Sequence, residues 1–92
     1  MINVDKLKKE AKKREKLKKE CYNKILELIN NKIIIISKTN STNTWFEIPL
    51  FMLGYPTYEI KDCSLYLIDK IKANGFKVSF LNPNILLINW DE

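Results

Sequence analysis

Histidine is absent from these 92 residues, glycine and cysteine occur twice each, and proline three times. Without His there is no His-based catalytic triad, no His-ligated metal, and no side chain whose ordinary pKa lies near neutrality to act as a general base. So little Gly and Pro argues against a disordered or fibrous chain. Cys21 and Cys63 lie far apart and fit neither a zinc-ligand spacing nor a secreted disulfide framework, so they read as reduced thiols. No apolar run approaches the roughly 18–20 residues that a membrane span needs. The N-terminal segment is lysine-rich and lacks the apolar centre of a signal peptide, which predicts a soluble, unprocessed protein. Asn40-Ser41-Thr42 matches a glycosylation sequon but reads here as loop chemistry.

What is present suffices for one folded domain: 46% hydrophobic residues and ten aromatics. A chain this short has a modest core and little room for a deep cleft. Charge divides it unevenly. Residues 1–29 carry ten Lys or Arg against five acids, while residues 30–92 carry six of each. The excess falls on one helix, predicted from about Val4, rich in strong helix formers and free of Gly and Pro. Asp5 complements the helix dipole, and Asp5–Lys9, Glu15–Lys19 and Glu20–Lys24 are expected as i,i+4 ion pairs.

The apolar stripe of this helix is uneven. Val4, Leu7, Ala11, Cys21, Ile25 and Leu28 fall on seam positions, but Arg14 and Lys18 interrupt the seam, so a long coiled coil is not expected. Tyr22, Ile25, Leu26, Ile29, Ile33 and Ile36 keep helical spacing through Asn30-Asn31, which favours helix across the run Ile33 to Ile36. Its four β-branched residues support a competing reading in which Lys32 to Ser37 is a strand paired with Thr44 to Ile48.

Ser37 to Asn43 is a polar loop. Trp45 to Ile48 reads as a short strand stopped by Pro49, and PLFMLGYPTY as an apolar turn with a Gly-x-Pro bend. Ile60, Cys63, Leu65, Leu67, Ile68 and Ile71 mark a helix from about Glu59, C-capped by Asn74-Gly75. A hairpin closes the chain: Phe76, Val78 and Phe80 alternate with polar residues, and an Asn-Pro-Asn turn leads to Ile85 through Trp90.

This order predicts an α+β fold, a small winged-helix-like domain with a long basic N-terminal helix and a C-terminal β-hairpin. Residues 1–21 form the basic extension and 22–92 the compact domain. Phe76, Val78, Phe80, Ile60, Leu67 and Ile71 are the expected core.

The residues Ile48-Pro49, Gly54-Tyr55-Pro56-Thr57-Tyr58, Cys63-x-x-Tyr66, Gly75-Phe76-x-Val78, Pro83-Asn84 and Ile88-x-Trp90 form a set over roughly residues 22–90. As a set it resembles a small, functionally uncharacterised domain family of nucleocytoplasmic large DNA viruses, the mimiviruses and their relatives. Asn89 departs from that pattern, standing where a small hydroxyl residue is expected. The resemblance implies a viral origin and a variable basic helix ahead of the conventional core, in a family with no established enzymatic role. It places the protein in the host cytoplasm, the viral factory or the virion.

The carboxylates Glu47, Glu59, Asp62 and Asp69 form no paired constellation, and no cofactor or metal is expected. The first function to consider is a non-enzymatic protein-interaction or virion-associated module, with Tyr55, Tyr58, Ile85, Leu87 and Trp90 as its interface, the helix as a tether and a homodimer as one form. The alternative is non-specific nucleic-acid binding, with Lys8, Lys9, Lys12, Lys13, Arg14, Lys16 and Lys19 on phosphates. Sequence-specific reading by the helix before the hairpin is not expected, because its polar face carries no net charge. The aromatics read as core rather than as a base-stacking platform, Cys63 as a buried small hydrophobe, and Cys21 as more exposed.

Overall fold

The computed structural model describes residues 3–91. Helix α1 runs Val4–Ser37, followed by strand β1 (Asn43–Glu47), helix α2 (Ile60–Ala73) and strands β2 (Lys77–Leu81) and β3 (Ile85–Asn89). The strands form one antiparallel sheet in the order β1-β3-β2, so the last strand lies in the middle. The fold is α+β. Residues 48–59, between β1 and α2, contain no helix.

Helix α1 begins at Asn3, whose side-chain oxygen accepts from the Lys6 amide at 2.9 Å and so satisfies one of the free first-turn donors. The helix continues through the isoleucine run as its spacing predicts. Ile29 is buried and Ile33 packs against the core, while Ile34 and Ile35 turn outward. Thr39 ends it, donating from both its amide and its hydroxyl to the Ile36 carbonyl. Helix α2 stops at Gly75, which adopts φ +92 and donates to the Lys72 carbonyl.

Sheet register decides which side chains are buried. Thr44, Phe46, Ile88, Leu86, Val78 and Phe80 share the face turned to the helices, in the pairs Phe46↔Leu86↔Phe80 and Thr44↔Ile88↔Val78. Leu86 and Ile88, on the central strand, are fully covered with Ile48, Cys21, Ile25, Ile29, Cys63 and Leu67.

This corrects the expected core. Of the six residues, only Leu67 and Ile71 are buried; Phe76, Val78, Phe80 and Ile60 are half-buried and pack around its margin. The reason is strand order: β2 is an edge, so the alternation of Phe76, Val78 and Phe80 lies over the rim of α2, while β3 occupies the centre. Leu65, assigned to the α2 stripe, faces solvent.

Asn84 is buried in the turn between β2 and β3. Its side-chain amide donates to the Ile48 carbonyl at 2.8 Å and its own carbonyl accepts from the Ile48 amide at 2.8 Å. The Asn-Pro-Asn tip thus pins the chain as it leaves β1 and is not a free loop.

Candidate functional site

Three surfaces stand out: the N-terminal half of α1, the open face of the sheet, and the connection from β1 to α2.

The N-terminal half of α1 is largely open to solvent, approached only at Ala11 to Lys18, where it shares a shallow cleft with Pro56 and Thr57. Residues 3–16 are all exposed; Leu17 and Lys18 are half-buried, and full burial begins at Cys21. Lys8, Lys9, Lys12, Lys13, Arg14, Lys16 and Lys19 are all accessible. Lys8, Lys12, Lys16 and Lys19 lie at i, i+4, i+8 and i+11 and share one helix face over about 16 Å. The ion pairs differ from those expected: Glu15 meets Lys18 at 3.9 Å and Lys24 meets Glu27 at 3.5 Å, both i,i+3. Glu15 therefore leaves Lys19 and turns to the residue nearer the body.

Beyond this arm, α1 crosses α2 through an aromatic cluster. Tyr22 packs edge-on to Tyr58 at 5.7 Å and tilted on Tyr66 at 5.3 Å, and the Tyr66 hydroxyl donates to Asn23 Oδ1 at 2.8 Å. The Tyr58 hydroxyl donates to the Pro49 carbonyl. Tyr55, Tyr58 and Trp90 are half-buried and pack against the core, Trp90 edge-on to Phe76 at 6.3 Å. Each is therefore shared between the core and the surface, with part of its side chain still accessible. Of the five expected interface residues, only Ile85 and Leu87 lie on the sheet's open face, where Ile85 is half-buried and Leu87 exposed.

Cys21 is fully buried, contrary to the expectation that it is more exposed, because it stands on the core-facing side of α1 ahead of Ile25. Burial raises its pKa, and pushes the Cys63 thiol up to about 12. Tyr22 and Tyr58 are likewise pushed up to about 12, chiefly by burial and secondarily by nearby Cys63. All four groups favour the protonated form in the fold. The unfolded chain gives up these protons at lower pH, near 9 for thiols, so the contribution is complete below that value and is lost as pH rises towards about 12. The melting temperature should therefore fall as pH is raised above 9, and Cys63→Ala should flatten the decline; an identical alkaline profile for that variant would contradict this origin.

The open sheet face presents Trp45, 54% exposed, beside Leu87. No sequence signal separates Trp45 from the inward-facing aromatics, because strand phase depends on the register with β3. On the connection, Leu50, Phe51 and Leu53 are 72%, 63% and 88% exposed, while Met52 between them turns in. Gly54, at φ +85, makes the turn that follows. Among the described residues, no group of three or more Cys, Asp or Glu is placed to hold a metal ion, and no helix is long and apolar enough to cross a membrane.

The chain matches a family of unknown function, DUF5759, over residues 2–72. That span includes the basic helix and stops before the hairpin, whereas the resemblance drawn from the sequence began near residue 22 and included it. The uncharacterized protein R447 of Acanthamoeba polyphaga mimivirus is 35% identical over 94 residues, covering 98% of this chain and 76% of the relative. No solved structure matches. With the family model spanning α1 and nearly all of α2, and the mimivirus relative nearly the whole chain, the chain belongs to the DUF5759 family.

Proposed function

We propose that the chain is a small non-enzymatic interaction module, winged-helix-like in layout, that docks a protein partner through the β1–α2 connection. The layout reading is supported by the strand order β1-β3-β2 and by a helix immediately ahead of the hairpin; a loop stands where a further helix would lie. The observation that carries the docking reading is the exposure of Leu50, Phe51 and Leu53 within one four-residue stretch of the connection. Three large apolar side chains on one short connection form the kind of patch that marks a contact site.

Because these side chains make little contact with the core, replacing Phe51 and Leu53 together by Ser should change stability by no more than about 0.5 kcal/mol per site. The same double variant should lose the proteins that the wild-type chain cross-links in an infected-cell lysate. Retention of the same cross-linked set would overturn the reading.

A second reading, non-specific nucleic-acid binding by the arm, is favoured by the accessibility of all seven expected phosphate-contacting cations.

A further inference from the structure

A groove of about 640 Å³ lies on the open sheet face beside the C-terminal end of α1, with Ile36, Trp45, Leu87, Asn43, Asn89 and Lys77 among its lining residues. We propose that it binds an unpaired base of single-stranded nucleic acid, stacked on Trp45, with the adjoining phosphate held by Lys77. This goes beyond the docking reading and uses a different surface from the basic arm.

The register builds the groove as two rows across the sheet. Trp45↔Leu87↔Ser79 is one row and Asn43↔Asn89↔Lys77 the next, two residues along each strand. Same-face neighbours along a strand stand about 7 Å apart, and adjacent strands about 4.8 Å. The indole therefore has an apolar neighbour beside it, an amide row alongside, and a cation at the far edge. A base stacked on the ring meets the amides with its edge, while its phosphate lies towards Lys77.

Two observations favour this occupant. The first is that the ring is already positioned: Lys32 Nζ lies 4.2 Å from its centroid and donates to the Trp45 carbonyl, yet the side chain stays more than half exposed. A ring fixed before binding loses little freedom when a base stacks on it. The second is charge. Among the described residues no carboxylate lines the groove, and Glu47, two residues from Trp45, is turned towards Asn84 at the other end of β1, 3.5 Å from its amide. Asn89 Oδ1 accepts from the Asp91 amide at 2.7 Å, which leaves its NH2 to donate to a base carbonyl. A base inside a duplex cannot reach a flat sheet, so the strand must be single.

Trp45 supplies the readout. In a full-length Trp90→Phe background, an eight-residue oligothymidylate should quench the remaining tryptophan emission, and inorganic polyphosphate of equal charge should not. With binding followed instead by the anisotropy of a fluorescently end-labelled oligothymidylate, Trp45→Leu should weaken it about tenfold, as expected for the loss of one base–aromatic stack, and Trp45→Phe should retain most of it. Emission unchanged at saturating oligothymidylate, or equal quenching by polyphosphate, overturns the proposal, the first outcome leaving the groove to a protein. Replacing the arm lysines Lys8, Lys9, Lys12 and Lys13 by Gln separates the two nucleic-acid readings. Quenching at saturation persists in that variant whether or not the arm contributes affinity, and its loss would assign the signal to the arm and overturn the groove.

Discussion

Leu86→Ala is expected to destabilise the fold by about 2–5 kcal/mol, the range for truncating a fully buried aliphatic side chain. Leu86 is 0% exposed on the central strand, in register with Phe46 on one side and Phe80 on the other. Its loss opens a cavity that neither neighbour can fill without leaving its own position against the helices. In a small domain whose total stability is on the order of 5–15 kcal/mol, this is a large share. Urea denaturation of the variant should show the midpoint falling with little change in slope. Phe76→Ala should cost less, since Phe76 is half-buried and its ring contact is an edge-on one with Trp90. The reverse order of costs would return the core to the edge strand.

The largest expected effect on binding concerns the arm under the nucleic-acid reading. If all seven cations contact phosphates, the slope of log K against log salt for random-sequence duplex should be about −6, and affinity should fall roughly 10³–10⁵-fold between 50 and 200 mM salt. Replacing Lys8, Lys9, Lys12 and Lys13 by Gln should bring the slope to about −3, each lost contact removing about 0.9. The melting temperature should barely move, because the four side chains are exposed and, among the described residues, take part in neither the Glu15–Lys18 nor the Lys24–Glu27 ion pair. An unchanged slope would remove the arm from nucleic-acid binding and leave its charge as solvation of a long helix.

Local signals were the legible ones. The helical reading of the isoleucine run rested on side chains three and four apart, and the Asn74-Gly75 cap on the backbone freedom of glycine; both need only neighbours in sequence. The core and the exposed surfaces depend on pairing between distant segments. Nothing in Phe76 to Phe80 tells that β2 is an edge; that follows from β1 pairing with β3, some 40 residues away. The same pairing sends Trp45 outward and Phe46 inward. The Gly-x-Pro bend was legible as a bend, but the direction in which it carries Tyr55 and Tyr58 depends on the position of Tyr22 across α1. The sequence marks Asn84 as a turn residue, but its role in pinning Ile48 depends on the third strand.

The continuity of α1 has a mechanical consequence. The sequence suggests a tether, and a tether would leave a bound partner free to turn relative to the sheet. Val4–Ser37 is one helix without an internal Gly or Pro, and its second half is clamped by the core at Cys21, Tyr22, Ile25 and Ile29. Its first half is therefore an outrigger whose bearing is set by the packing of the second. Whatever the arm holds is presented at a fixed angle to the sheet and to the β1–α2 connection. A push on the arm is borne by the tyrosine cluster where α1 crosses α2.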